Sequence, residues 1–487
     1  MTARESFSQG EPRGLDNALK TMREYCQEDP RRLSRLRRKN SYFRSEVSRI
    51  LKSLVPRASS VLDVGCGSGD ALAALEPRRG YGVDIDSSAW KHGASDSPSL
   101  HFEEASAEEW DPSGQTFDYV VASGLLEHVY DIETVLTKLR ACCHSDSRVV
   151  IVTYSRLWQP LLRLAERLGL KTDYPIQNWI PVSELENLAK QSGLERITSR
   201  PAVLAPIHIP FVSRFLNRWV APLPLLRHLD FVHVTVLRPA PRAKPVESVS
   251  IIIPARNEAG HVEPLLDRIP NLAPRQEVVF VEGNSTDSTW DEIQRVCAQR
   301  STDFHSDLIA IQQPGVGKGD AVRAGFSMSQ GDVLLILDAD ISVPPEELPK
   351  FVRLLASGAA DFANGSRLVY SMESGAMRFL NLLGNRFFGS LFTYLLGQPV
   401  RDTLCGTKVL WRRDYENIAA GRERFGRLDP FGDFDLLFGA TALNLRIMDV
   451  PVHYLARTYG ETNISRFRHG LLLLRMSWLA ARRIRFV

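Results

Sequence analysis

The chain has 487 residues, more than one ordinary hydrophobic core accommodates, so two or three domains are expected. With 44% hydrophobic and 24% charged residues it has a globular composition, and a formal net charge of +3 argues against a general nucleic-acid binder. The six cysteines form no CxxC pair and no zinc-spaced His/Cys cluster, which suits reduced thiols in a cytosolic protein. The polar segment Met1–Gly14 lacks the apolar run of a signal peptide. No stretch of about 18 uninterrupted apolar residues predicts a membrane-spanning helix. Contact with a membrane is therefore expected from the cytoplasmic side, as a peripheral protein. Nothing in the sequence fixes the oligomeric state.

In chain order, residues 1–41 read as an N-terminal extension and residues 42–237 as a first α/β domain. Strands are predicted at Ser60–Val64, Gly80–Asp84, Tyr119–Ala122, Arg148–Tyr154 and Phe231–Leu237. Pro239, Pro241 and Pro245 fall within seven residues and mark a linker at 238–248. Residues 249–487 form the second α/β domain, with strands at Ser250–Pro254, Glu277–Glu282, Leu308–Gln312 and Val333–Asp338.

Val61–Gly69 is a strand entering a glycine-rich turn, in which Gly65, Gly67 and Gly69 let backbone approach a ligand closely. A second strand ends about 20 residues on at Asp84, where a carboxylate can accept hydrogen bonds from ribose hydroxyls. The loop is GxGxG preceded by Asp63, and Phe117–Val129 follows with Glu127 and His128. Together these resemble the class I S-adenosylmethionine-dependent methyltransferases, over about Tyr42–Leu237. The resemblance implies a Rossmann-like fold, with Asp63, Gly65, Gly67, Gly69 and Asp84 around S-adenosylmethionine, its adenine near Ser106 and Ala107, and Glu127 and His128 beside the methyl-transfer site. Ser106 stands where the family often has Asp. Gly124 stands where some metal-using relatives carry a carboxylate, so no metal is expected there. His128 is either a general base or a satisfied hydrogen-bonding histidine. The domain is either an active methyltransferase with an unknown acceptor or a non-catalytic binding module.

In the second domain, Ser250–Glu258 is a buried strand stopping at Pro254 and exposing a polar turn. Val281–Thr289 adds carboxylates and hydroxyls for a nucleobase and ribose, and Gly315–Gly319 places the Lys318 ammonium before a helix. Asp332–Asp340 then delivers Asp338 and Asp340 at the end of an apolar strand. Magnesium or manganese is commonly held by one or two such carboxylates, with diphosphate and water completing the shell.

These segments, with Gly365–Arg367 and Asp402–Thr407, resemble the family 2 inverting glycosyltransferases of the GT-A fold, in particular the dolichyl- and polyprenyl-phosphate sugar synthases. That likeness implies Asp338 and Asp340 on Mg2+ or Mn2+. It places Pro254, Arg256, Asn257, Glu258, Glu282 and Lys318 around the nucleotide sugar, and Arg367 on the acceptor phosphate, with Arg378 a second candidate. Two departures stand out. Glu282-Gly-Asn-Ser285 replaces an Asp-Asp-Gly-Ser pattern, leaving GDP versus UDP open, and Ser342 stands where a third metal ligand is common. Asp402, Asp433 and Asp435 complete the candidate catalytic acids; the last two are either a base or acceptor contact, or structural.

Met377–Leu396 is too polar to span a bilayer yet dense in Phe and Leu, and reads as an interfacial helix or an amphipathic core helix. From Arg457 to the end, seven arginines face one Glu. That run is either a solvated face or a contact with an anionic leaflet. A phosphate acceptor is ionised near neutral pH and needs no strong base, so in-line attack with inversion is expected. The acceptor is read as a polyprenyl phosphate or other glycolipid; the alternative is a saccharide hydroxyl.

Overall fold

A computed structural model describes residues 11–28, 39–87, 90, 97–168, 174–301, 304–371, 379–422, 432–455 and 466–486. Two compact units divide at Ala240/Pro241, the first also taking Phe486.

The first unit holds β1 (Ser60–Val64), β2 (Arg79–Asp84), β3 (Leu100–Glu104), β4 (Phe117–Ser123), β5 (Cys143–Tyr154), β6 (Leu194–Ala202) and β7 (Val232–Pro239), in the order β3-β2-β1-β4-β5-β7-β6. The β1–β5 pairings are parallel; β7 runs antiparallel to both β5 and β6. The central strands are largely apolar, Asp63 on β1 and Asp118 on β4 excepted, because helices cover both faces. On one side lies a cluster around Leu62, Val120 and Leu136, on the other one around Leu51, Val121 and Val150. The strand order reverses between β1 and β4, which opens a crevice at their C-terminal ends.

The second unit holds β8 (Ser248–Ala255), β9 (Arg275–Glu282), β10 (Asp307–Gln312), β11 (Val333–Ile336), β12 (Phe362–Ser366), β13 (Lys408–Trp411) and β14 (Ile447–Pro451), in the order β10-β9-β8-β11-β13-β12-β14. Here the reversal falls between β8 and β11, which pair in parallel, and β13 is antiparallel to β11 and β12. The chain is thus α/β in both halves, a Rossmann-like methyltransferase fold followed by a GT-A nucleotide-sugar-binding fold.

Five strands escape the sequence reading. β3 and β6 are polar edge strands, β12 reads Phe-Ala-Asn-Gly-Ser, and β13 and β14 span four and five residues. Each forms because tertiary pairing overrides weak propensity. The segment expected as an N-terminal extension contains an 18-residue helix, Glu11–Glu28, that buries Leu19 and Met22. Pro239 closes β7 as its last residue, where no further ladder bond is needed. Lys244 is no loose tether either: its N–H donates to Ala356 O at 2.7 Å, and its ammonium sits 4.3 Å from the Trp411 ring.

Candidate functional site

In the first unit, β1 hands over to a turn in which Gly65, Gly67 and Gly69 have φ of 77°, 55° and 72°. Only glycine adopts such angles without strain, and a Cβ on Gly67 would meet no heavy atom within 4 Å. The loop is open on its ligand side. Gly67 N–H donates to Asp84 Oδ2 at 2.7 Å and Asp86 N–H to Asp84 Oδ1 at 3.0 Å, which fixes the β2 carboxylate beside the turn. Burial, reinforced by the negative charge of Asp84, pushes the Asp63 carboxyl up to about 7.

Glu127 accepts Tyr154 N–H at 2.7 Å, and its own carbonyl accepts Asn178 N–H. His128 Nδ1 lies 3.0 Å from Ile176 O, and its ring centroid is 4.2 Å from that of Tyr174. Tyr174 in turn meets Tyr25 at 5.4 Å, so the Glu11–Glu28 helix reaches the crevice through an aromatic chain that the sequence did not announce. The structure gives Ser106 a local job, since its hydroxyl accepts Glu109 N–H at 3.0 Å and caps a turn. Ala107 packs into the core.

In the second unit, β8 and β9 end side by side and Asn257, at φ 57°, ties their loops together. Its N–H donates to Ser285 Oγ and its Oδ1 accepts Thr286 N–H, at 3.1 and 2.8 Å. Glu282 is buried and accepts Ser285 N–H at 2.5 Å. Pro254 is half-buried beneath this turn and Arg256 is exposed. Glu258, expected at the nucleotide, has its Oε2 2.7 Å from Nδ1 of the buried His261.

β11 ends at Ile336, two residues short of the predicted boundary. Lys318 Nζ lies 2.5 Å from Asp338 Oδ1, at the head of the helix Lys318–Met328. Asp340 is buried, and its Oδ1 accepts Ser342 N–H at 3.0 Å and Ser342 Oγ–H at 2.7 Å. Ser342 thus braces Asp340, where a third ligand was looked for. Among the described residues no group of three or more His, Cys, Asp or Glu could hold a metal ion. The two carboxylates match a cation whose remaining positions are taken by diphosphate and water.

The loop Asp402–Thr407 closes on this edge at Gly406, where a Cβ would fall on Asp338 Oδ2 and Lys318 Nζ. Its first residue carries a correction. Arg367, expected on the acceptor phosphate, and Asp402, expected as a catalytic acid, are each other's partners. The Arg367 guanidinium donates to both Asp402 oxygens, at 2.7 and 2.9 Å, and its N–H donates at 3.0 Å. Asn385 Nδ2 adds a contact at 2.9 Å, and Leu404 and Cys405 donate their N–H groups at 3.1 Å. Burial alone would raise the Asp402 carboxyl, but the Arg367 charge and these bonds hold it at about 2. Asn385 was not foreseen, since nothing links it to Asp402 in sequence. Beside them the buried hydroxyls of Ser366, Thr403 and Thr407 bond no protein atom, a cost of about 1–3 kcal/mol each unless solvent or ligand satisfies them.

Asp435 is buried against Arg422, whose Nε donates to it at 2.5 Å. Asp433 opens the helix Asp433–Ala442, and Arg378 lies outside the described residues. The predicted interfacial segment forms the helix Phe379–Leu396. It sends Phe388, Phe392, Leu395 and Leu396 into the core and leaves Leu383 and Phe387 exposed, a core helix with an apolar strip on its outer face. The C-terminal helix Arg466–Ala480 likewise buries Leu473, Met476 and Ala480 while exposing Leu471, Leu474 and Trp478. Arg485 is tied into the fold: its Nε donates to Tyr394 O and Leu395 O at 2.8 and 3.0 Å, closing the last turn of the Phe379–Leu396 helix. No described helix is long and apolar enough to cross a membrane.

Residues 250–418 match the family model for glycosyl transferase family 2, and residues 25–199 that for a methyltransferase domain. A dolichol-phosphate mannosyltransferase from Pyrococcus furiosus is 27% identical over 224 residues, 44% of this chain and 59% of that protein. An undecaprenyl-phosphate 4-deoxy-4-formamido-L-arabinose transferase from Pseudomonas syringae pv. syringae is 37% identical over 118 residues, 23% of this chain and 34% of that protein. The chain therefore spans less than two thirds of the length of these relatives. Among solved structures, a SAM-dependent methyltransferase from Thermotoga maritima aligns with a TM-score of 0.35 and 13% identity, covering 46% of this chain and 99% of that one. Over residues 25–199 the chain thus resembles a methyltransferase domain, and over residues 250–418 it resembles glycosyl transferase family 2.

Proposed function

We propose that the second domain transfers a sugar from a GDP- or UDP-linked donor to a polyprenyl phosphate, with inversion, at the cytoplasmic face of a membrane. The first domain methylates an acceptor of the same glycan pathway. The observation that carries the reading is the convergence of Lys318, Asp338 and Gly406 at one sheet edge, which sets a cation and a carboxylate directly beneath the Asp402–Thr407 loop. The two relatives named above are themselves named for lipid-phosphate substrates.

Lys318, at the head of its helix, is placed to meet the diphosphate with an ammonium and with helix N–H groups. Asp338 and Asp340 would hold Mg2+ or Mn2+, which when bound offsets charge on the departing nucleoside diphosphate. Glu282 and the Asn257-stapled loops form the wall beside the nucleoside. Because a phosphate acceptor arrives ionised, no side chain has to remove its proton. Asp402 then serves to position Arg367 and the loop, and the open hydroxyls of Thr403 and Thr407 are candidates to meet the acceptor. The exposed strips Leu383/Phe387 and Leu471/Leu474/Trp478 suit the lipid interface.

In the first domain, Asp63, the glycine turn and Asp84 are suited to S-adenosylmethionine, which supplies an electrophilic methyl group; Glu127 and His128 line the neighbouring edge. The deciding assay measures nucleoside diphosphate release across a panel of sugar nucleotides, with and without polyprenyl phosphate. Release should require the lipid phosphate. Release that ignores it would overturn the acceptor and favour a saccharide hydroxyl. Calorimetric titration of S-adenosylmethionine against wild type and Gly67→Arg should give binding to the first and none to the second. No binding to wild type would make the domain a scaffold.

A further inference from the structure

We infer that the methyltransferase domain carries its own docking surface for an anionic phospholipid bilayer, built from the excursion between β6 and β7 and from the helix Gln159–Arg167. The inference rests on the membrane-peripheral reading above and extends it to the domain where no membrane contact was expected.

The excursion, residues 203–231, buries Val203, Ala221 and Phe231 but inverts the usual polarity between them. Its polar residues Ser213 and Asn217 are 0% and 5% exposed, whereas Phe211 is 94%, Leu225 88%, Ile207 72% and Phe215 58% exposed. A segment packed only for water would do the reverse. The inversion is organised rather than loose. Ser213 Oγ–H donates to Ile207 O at 2.5 Å and accepts Ile209 N–H at 2.9 Å. Asn217 accepts Ala205 N–H at 2.7 Å and donates to Ala205 O and Tyr42 Oη, at 2.8 and 3.1 Å. Buried polar side chains thus hold the backbone so that the apolar ones face out. Phe211 does so at φ 63°, a conformation that costs a bulky residue energy and persists only where the fold imposes it.

The helix Gln159–Arg167 adds a second outward apolar strip. It has no buried residue, and Leu157, Leu161, Leu164 and Leu168 are all more than half exposed. Trp158 ties it to the end of the excursion, donating from Nε1 to Leu229 O at 2.9 Å and packing on Phe231 at 5.6 Å. The two strips are therefore one surface.

Charge selects the occupant. Leu204–Leu229 contains three arginines and no acidic residue, and Arg156, Arg163, Arg167, Arg214 and Arg218 are all exposed. Exposed Phe and Leu among arginines match lipid acyl chains beneath anionic head groups. The surface also borders the methyl-transfer edge, because Phe231 packs on Phe43 and Tyr154, and Tyr154 N–H is bonded to Glu127. A methyl acceptor carried on a membrane lipid would be delivered to that edge from the docked face.

The test attaches an environment-sensitive fluorophore to Phe211→Cys, or to Lys190→Cys as a control on the same domain, in full-length protein with Cys26→Ser and Cys297→Ser. Vesicles of phosphatidylcholine alone are compared with vesicles containing phosphatidylglycerol. The Phe211→Cys label should shift to the blue and become shielded from aqueous quencher on anionic vesicles, while the Lys190→Cys label stays unchanged. Phe211→Asp with Phe215→Asp should weaken vesicle binding at least tenfold and leave S-adenosylmethionine affinity in solution within twofold. A chain that sediments with vesicles while the Phe211→Cys label stays unshifted overturns this inference alone; failure to sediment at all removes the membrane reading of both domains. A shift that appears without lipid as protein concentration rises would assign the surface to a second copy of the chain and overturn the bilayer.

Discussion

The two candidate sites sit at the same place in two different sheets, beyond the strand ends where the order reverses, yet they are assembled in opposite ways. In the methyltransferase domain the principal groups lie between Asp63 and Asp84 and are held by backbone, with Gly67 N–H bonded directly to the Asp84 carboxylate. In the glycosyltransferase domain they come from Lys318, Asp338, Asp340, Arg367 and Asp402, four of them held in a half-buried ion pair, Lys318–Asp338, and a buried one, Arg367–Asp402. A backbone-built site tolerates change around it and depends on its glycines. A site built from paired charges depends on every partner.

The largest expected effect tests the charge-built site at its chemistry. Asp340→Asn keeps the shape and can still accept from Ser342, but removes the charge that would neutralise a cation. Transfer should fall on the order of 10³-fold, about 4 kcal/mol of barrier, with the thermal transition little moved. Residual activity within tenfold of wild type would remove the metal-binding role.

Next comes the buried pair. Asp402→Asn leaves the Arg367 guanidinium buried without its counter-charge, which should cost about 3–5 kcal/mol and lower the melting transition of the second domain by roughly 10 °C. The wild-type carboxylate titrates at about 2 when folded, below its ordinary 3.8. Its contribution is therefore complete above about pH 4 and is lost as the pH falls through 2. A calorimetric transition that is unmoved by the substitution would show the pair to be dispensable.

The first domain should respond to pH with the opposite sign. Asp63 is pushed from 3.8 up to about 7 by burial and by Asp84, so between those values the folded state keeps a proton that the unfolded state releases. Stability should then fall as the pH rises from about 4 to 7, and Asp63→Asn should relieve the loss by about 4 kcal/mol at pH 8. Chemical denaturation at pH 5 and pH 8 checks both. Equal stabilities of the wild type at the two values would contradict the buried, proton-retaining carboxyl.

This contrast also explains what could be read in advance. The glycine turn, Asp84 and Asp338–Asp340 are short patterns whose chemistry follows from spacing; the turn follows β1 and Asp84 ends β2, while Asp338 and Asp340 lie in the loop after β11. Asp402 and Arg367 were identified but given separate roles, because 35 residues lie between them and no local pattern signals a pair. Asn385 and Gly406 take their roles only from tertiary approach. β12–β14 are too short or too polar to stand out. The inverted polarity of residues 203–231 is invisible for a related reason: a run of Phe, Leu and Pro reads as core until burial shows which side chains face out.

The smallest effects compare two glycines that sit in the sites for different reasons. Gly67 has φ 55° and open space around it, so Gly67→Ala meets no neighbour and suffers only the backbone penalty of about 1–2 kcal/mol. S-adenosylmethionine affinity should drop a few-fold, and no more. Gly406 does not have a positive φ, yet its added methyl would land on Asp338 and Lys318. Those side chains, or the whole Asp402–Thr407 loop, must then move by a few tenths of an ångström or more, at about 1–3 kcal/mol. Because the displaced atoms are the reacting-site charges themselves, Gly406→Ala should slow sugar transfer about 10- to 100-fold while the second domain unfolds within a few degrees of wild type. If Gly406→Ala proved silent and Gly67→Ala abolished cofactor binding, the assignment of rigid backbone to one site and crowded side chains to the other would be reversed.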